Sequence, residues 1–315
     1  MPRIVVTRAL PESALDALRE SGASVWVSPH DRPLARDELH AAVRGAHAVV
    51  TMLHDRVDDA FVAAAGEQLR VVANVAVGYD NVDVEAARAR GVTITNTPGV
   101  LTDATADLAI ALLLAVTRRL GEGERLIRSR RPWAWSIDFM LGRGLRGKTL
   151  GIVGLGEIGR ATAARARAFG MEVLYTKRSR GAEPGQVELE ELLARSHAVS
   201  LHCPLTPETR HLIDAAALAR MRDDAYLVNT ARGPVVDEAA LATALRDGVI
   251  AGAALDVFER EPEVHPELLG LENAVLVPHL GSATVETRRA MAELAAANAL
   301  AVLAGDAPVT PVHHA

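Results

Sequence analysis

At 315 residues the chain exceeds the usual length of one compact domain, so two domains of ordinary size are expected, each able to bury its own core. Its 34 Lys+Arg against 40 Asp+Glu make it mildly acidic, with charge spread along the chain, which argues against nucleic acid or an anionic membrane as partner and favours a small molecule. Cys203 is the single cysteine, so no intramolecular disulfide can form and a reducing, cytoplasmic setting is expected.

The chain opens Met1-Pro2-Arg3-Ile4-Val5-Val6 and breaks at Pro11, an apolar run too short for a secretory signal. Short β-branched runs at 4–6, 25–27, 49–51, 71–73 and 93–95 alternate with helical stretches at 12–20, 36–44 and 84–90. That alternation is the pattern of a parallel α/β sheet. Gly91 stops the third of these helices, Pro98-Gly99 closes the unit, and Thr102 is expected to cap a long apolar helix reaching about 120. Its apolar run, 108–116, falls short of the roughly 18 residues a membrane span requires and reads as a buried helix. An arginine-rich stretch at 128–145, holding Pro132-Trp133-Ala134-Trp135, reads as an arm or loop. A second α/β series comes next, with strands at 150–153, 172–175, 198–201, 226–228, 251–255 and 275–277, and helices at 157–169 and 189–195. The final helix, 287–303, is too long and apolar-faced to be a tail and is placed against the first domain.

The strand ending at Val153 runs directly into Gly154-Leu155-Gly156-Glu157-Ile158-Gly159, which opens a helix. In that context G-x-G-x-x-G predicts a dinucleotide site: the first glycine permits the tight turn, the second admits the pyrophosphate to the backbone, and the third allows close helix–strand packing. About 20 residues on, an acid would bind the ribose 2′-hydroxyl of NAD, whereas cations favour a 2′-phosphate. Here stand Tyr175-Thr176-Lys177-Arg178-Ser179-Arg180, with no acid at the strand end. The expected cofactor is NADPH, with NADH possible; Arg178 leads as phosphate ligand, Lys177 and Arg180 assist and Thr176 lies alongside. A solvated basic turn is the competing reading.

Three further segments stand at strand ends, where open α/β sheets bind ligands. They are Asn229-Thr230-Ala231-Arg232-Gly233, Asp256-Val257-Phe258-Glu259-Arg260-Glu261-Pro262 and Pro278-His279-Leu280-Gly281-Ser282. With the glycine loop and Val77-Gly78-Tyr79-Asp80-Asn81, they resemble the D-isomer-specific 2-hydroxyacid dehydrogenase family over nearly the whole chain. The tryptophan arm, the basic turn and the tail at 296–305 look most like its glyoxylate/hydroxypyruvate reductase branch.

The resemblance implies an α/β protein of two domains, a Rossmann dinucleotide-binding domain (100–284) inserted into a flavodoxin-like substrate-binding domain (1–99 and 285–315). It implies reduction of a small 2-oxo acid, glyoxylate or hydroxypyruvate, to the D-2-hydroxy acid. Hydride transfer to the carbonyl carbon builds negative charge on oxygen, so a proton donor must stand beside it, and histidine, ordinarily titrating near 6.5, suits neutral pH. His279 is then the acid, Glu261 the carboxylate orienting its ring, and Arg232 the fork that holds the substrate carboxylate. Val77 and Gly78 would offer backbone N–H groups to the substrate, and Asp256 would hold the nicotinamide carboxamide. Thr105, Cys203, Pro204, Thr230, Ala231 and Gly281 would line the cofactor along with His279 itself. The arm implies a homodimer in which Trp135 or Trp133 shapes the substrate pocket; a buried hydrophobic anchor is the alternative. His54 reads as a surface histidine, and His313 and His314 lack the spaced partners of a metal site, so no metal is expected. Related activities on 2-ketogluconate, phosphoglycerate or phosphite stay open. A dinucleotide-sensing corepressor of the same fold is a competing class, but its disordered tails are not seen in this sequence.

Overall fold

The computed structural model describes residues 1–179 and 183–312. They form two compact units, Met1–Leu101 with Ala283–Ala315, and Thr102–Ser282. The crossings fall at Leu101 and Ala283 rather than at 99 and 285, because Thr102 already opens a helix of the second unit and Thr284 already caps one of the first.

The first unit runs β1 (Arg3–Val6), α1 (Glu12–Glu20), β2 (Ser24–Val27), α2 (Arg36–Val43), β3 (Ala48–Thr51), α3 (Asp59–Ala65), β4 (Val71–Asn74), α4 (Val84–Ala89) and β5 (Thr93–Thr95). Its strands form a parallel sheet in the order β2-β1-β3-β4-β5. Period-two alternation sends Val5, Val49 and Val72 into one core and Ile4, Val6, Val50 and Val71 into the other, so helices must cover both faces. Each such fully buried valine or isoleucine contributes about 1.5–3 kcal/mol.

The second unit runs α5 (Thr102–Thr117), α6 (Leu120–Arg128), β6 (Thr149–Val153), α7 (Glu157–Ala168), β7 (Glu172–Thr176), α8 (Leu189–Arg195), β8 (Ala198–Leu201), α9 (Ala215–Arg220), β9 (Tyr226–Asn229), α10 (Glu238–Arg246), β10 (Gly252–Leu255) and β11 (Ala274–Leu276). Its six parallel strands order as β11-β10-β9-β8-β6-β7, reversing between β6 and β8. Beyond β7 a further strand is reduced to one parallel bridge, Tyr175 to Gln186. The chain then returns to the first unit in α11 (Val285–Ala304), which lays Ala292, Ala295, Ala296 and Ala299 against β3, β4 and α1.

Five helices depart from the sequence expectation. Asp58, Asp214 and Asp237 cap α3, α9 and α10 by accepting from Phe61, Ala217 and Ala240 N–H groups, a signal hidden by the shortness and alanine content of these three helices. The apolar helix expected to reach about 120 ends at Thr117, whose hydroxyl bonds back to Leu113 O at 2.7 Å; Arg119 is left-handed at φ 55° and α6 begins anew. Gly121 and Gly123 disguise α6, so the arm starts only after Arg128. Among the described residues no helix is long and apolar enough to cross a membrane, and no group of three His, Cys, Asp or Glu side chains could hold a metal ion.

Candidate active site

Every expected site residue of the second unit outside α5 and the arm, among the described residues, leaves the carboxyl end of a strand or opens the helix after it. Gly154 follows β6, Thr176 ends β7, Cys203 and Pro204 follow β8, Thr230 to Arg232 follow β9, Asp256 to Glu261 follow β10, and His279 follows β11. Parallel strands bring these ends to one edge, at the point where strand order reverses.

The glycine loop shows three separate constraints. Gly154 has φ 95°, and a Cβ there would lie 2.7 Å from Cys203 N; one on Gly159 would lie 2.3 Å from Gly154 O. A Cβ on Gly156 would meet nothing within 4 Å, so space stands open over the N-terminus of α7. Leu155 is buried, Glu157 accepts from Thr102 Oγ1 at 3.3 Å and Ile158 accepts from Thr162 Oγ1 at 2.9 Å. Thr176 O accepts from Gly154 N at 2.9 Å, tying the end of β7 to the loop. Lys177 is partly buried and Arg178 exposed; Arg180 lies outside the described residues, as do His313 and His314.

On the same edge Thr230 Oγ1 and His202 Nδ1 are buried and find no hydrogen-bond partner among the described residues. An open cradle at a helix N-terminus beside an orphaned hydroxyl fits a dinucleotide. Burial pushes the His202 imidazole down to about 4 and the Cys203 thiol up to about 11, so both stay neutral and neither supplies an ionic group. Pro204 O accepts from Thr209 Oγ1 at 2.7 Å.

The histidine and its carboxylate meet directly: His279 Nδ1 lies 2.8 Å from Glu261 Oε2. Their side chains are 27% and 30% exposed, open enough for a substrate to reach yet dry enough for charge to matter. Glu261 Oε1 accepts from Phe258 N at 3.0 Å. Burial alone would raise the Glu261 carboxyl, but the His279 hydrogen bond and charge, the Phe258 N–H and the Arg232 charge together hold it below the usual carboxylate range.

Two anchors were not legible as such in the motifs. Asn229 Oδ1 accepts from Ala231 N at 3.0 Å and its Nδ2 donates to Arg232 O at 2.9 Å, an Asx-type brace under the arginine. Arg232 is partly buried and its Nη1 donates to Ala231 O at 2.8 Å. Asp256, expected to face the cofactor, spends both carboxylate oxygens on the turn after His279, accepting from Leu280 N at 2.5 Å and Gly281 N at 2.8 Å. Burial raises its carboxyl despite those donors and the His279 charge. Gly281 O in turn accepts from Thr105 Oγ1 at 3.1 Å. The turn holds His279 itself at φ 52°, left-handed for a residue with a Cβ.

Other expected residues belong to the first unit or to the arm. Val77 and Gly78 belong to the first unit, where their carbonyls accept from Asn96 and Asn74 at 2.8 and 3.1 Å. His54, in the same unit, lies 3.9 Å from the Asp55 carboxylate. In the arm, Trp133 stacks on Phe139 with centroids 5.9 Å apart, while Trp135 is 77% exposed.

Such a strand-end edge suits an enzyme that binds a nicotinamide dinucleotide and reduces a carbonyl. Residues 110–281 match the NAD binding domain of the D-isomer specific 2-hydroxyacid dehydrogenases. The chain is 49% identical to a glyoxylate reductase of Thermococcus kodakarensis over 323 aligned residues, covering 99% of this chain and 96% of that one. A solved Thermus thermophilus protein superposes with a TM-score of 0.94 at 49% identity, covering 99% and 100% of the two chains. The NADPH-dependent glyoxylate/hydroxypyruvate reductase of Sinorhizobium meliloti, solved with NADP and malonate, gives 0.86 at 36% identity, covering 99% and 96%. The chain belongs to the D-isomer specific 2-hydroxyacid dehydrogenase family. It is an NAD(P)-dependent oxidoreductase of the 2-oxo and 2-hydroxy acid couple.

Proposed function

We propose that this protein reduces glyoxylate or hydroxypyruvate to the corresponding D-2-hydroxy acid with NADPH as the preferred reductant. The observation that carries the reading is the 2.8 Å His279–Glu261 pair on the edge that also bears Arg232. The bound nicotinamide supplies the hydride. His279, with Nδ1 engaged by Glu261, has Nε2 left to give a proton to the substrate oxygen. Arg232 binds the substrate carboxylate and polarises the carbonyl, and Val77 and Gly78 present backbone N–H groups to the same carboxylate. Gly154, Gly156, Gly159 and Thr230 hold the dinucleotide, and Asp256, while anchoring the turn after His279, keeps a lone pair for the nicotinamide carboxamide. The absence of an acid at the end of β7 and the cations Lys177 and Arg178 support the 2′-phosphate. The similarity to glyoxylate reductases supports the substrate. The same reading includes a homodimer built on the arm, with Trp135 reaching towards the partner's pocket; its exposure supports that role.

Initial rates with glyoxylate and hydroxypyruvate, each against NADPH and NADH, test the proposal. A lower KM for NADPH is expected, and a clear NADH preference overturns the cofactor assignment. His279→Ala should cost about 10²–10⁴ in kcat while NADPH still binds. Retained turnover would remove His279 as the acid.

A further inference from the structure

Two loops carry the proposed chemistry, one with Arg232 and one with Glu261, and among the described residues no sheet pairing holds them together beyond the ends of β9 and β10. Their alignment comes from a pair of glutamates outside the proposed triad. Glu259 N donates to Glu238 Oε1 at 2.6 Å, and Glu238 N donates to Glu259 Oε1 at 2.9 Å, so each carboxylate caps the other residue's backbone. Glu238 is the first residue of α10, where N–H groups lack helical partners, so the Glu259 carboxylate also gains from the positive end of that helix.

The contact is built to be close. A Cβ on Gly233, next to Arg232, would lie 1.9 Å from Phe258 C, so only glycine lets the two backbones touch. His211 closes the far side, its Nε2 3.1 Å from Glu259 Oε2 and its N donating to Pro234 O at 2.8 Å. Consecutive N–H groups of the second loop are therefore spoken for, Phe258 by Glu261 and Glu259 by Glu238. Fixing the Glu259 peptide fixes the Phe258 peptide that aims Glu261 at His279. Holding two carboxylates this near, one of them buried, is unfavourable by itself. Burial and the Glu259 charge raise the Glu238 carboxyl, against the donors from the Glu259 and His265 backbone.

We infer that the Glu238–Glu259 clasp is the positioning device of the proton-donating pair, docking the 258–261 turn on α10 so that Glu261 meets His279. The inference rests on the proposed role of His279, and its test separates the two. Glu238→Ala, Glu259→Ala, Glu259→Gln and His279→Ala are compared in the full chain, with glyoxylate and NADPH across pH. The alanine variants of the clasp should lose about 10-fold in kcat/KM. The alkaline limb of their kcat/KM profile should move down by about half a pH unit, because a loosened Glu261 supports the imidazolium less. NADPH affinity, read by fluorescence titration, should not move. Glu259→Gln should recover most of the loss, since its amide oxygen still accepts from Glu238 N and its NH₂ can face His211. Active His279→Ala would overturn the reading of the reaction. Inactive His279→Ala, with both alanine variants keeping the wild-type limb, would reduce the clasp to a structural brace and overturn this inference. Should buried Glu238→Ala not fold, the more open Glu259→Ala and its glutamine partner decide alone.

Discussion

At His279 the chain accepts a left-handed backbone that costs about 1–3 kcal/mol for a residue with a Cβ. Asp256 offsets this by holding the next two N–H groups, and the same turn puts the imidazole against Glu261. Because the folded Glu261 carboxyl titrates below its ordinary 4.5, the folded state binds fewer protons there than the unfolded chain does. Its contribution to stability is thus fully present above about pH 4.5 and is lost as pH falls through the lowered value. Urea midpoints of wild type and Glu261→Gln should differ above about pH 5 and converge as pH falls below that range. A gap that did not narrow as pH fell below about 4.5 would mean the pair stabilises by packing and not by charge. The residues of the proposed triad could be placed at strand ends from the sequence because each sits in a short motif. Asn229, the anchoring use of Asp256 and the Glu238–Glu259 clasp were not legible there, since the fold alone decides which backbone groups these side chains meet.

Among the elements, the turn from β6 into α7 separates fold from ligand most cleanly. Gly156 has φ −80° and ψ −162°, a conformation open to any residue, and no neighbour within 4 Å of a Cβ. Gly154 has φ 95° and Cys203 N at 2.7 Å from a Cβ. Gly156→Ala should therefore cost less than about 0.5 kcal/mol in stability, as at an unstrained surface position. Its methyl group fills the cradle, so NADPH binding should weaken by about 10-fold or more, equivalent to at least 1.4 kcal/mol. Gly154→Ala should instead destabilise the fold by about 1–3 kcal/mol. Thermal unfolding together with cofactor titration reads both, and Gly156→Ala binding NADPH like wild type would remove the cradle assignment. The loop could be read from sequence because its spacing encodes local geometry. So could the strands, whose β-branched runs carry burial on both faces. The helices α3 and α9 could not, since six or seven residues hold too few turns for a 3.6-residue period to decide, although α4 and α8 of the same length were expected.

For the molecule as a whole, the span from α6 through the arm carries apolar side chains that its own fold does not cover. No residue of α6 is buried, and Ile137 and Trp135 are 83% and 77% exposed while Trp133 and Phe139 stack locally. Isolated exposed apolar residues are ordinary, but Leu120, Ile127, Trp133, Trp135, Ile137 and Leu141 fall within one short stretch. Water against that much apolar surface is a standing cost, and a second copy would remove it in the self-complementary manner of twofold assemblies. Sedimentation should then give a species of twice the 33.4 kDa chain mass. Replacing Trp135 and Ile137 together with Asp should shift it towards monomer, because charges do not tolerate a dry interface. Trp135→Ala alone distinguishes the finer claim. If its side chain enters the partner's pocket, the ratio of kcat/KM for hydroxypyruvate over glyoxylate changes while the dimer persists. An unchanged ratio in an intact dimer leaves Trp135 as interface anchor only, and a wild-type monomer would end the dimer reading altogether.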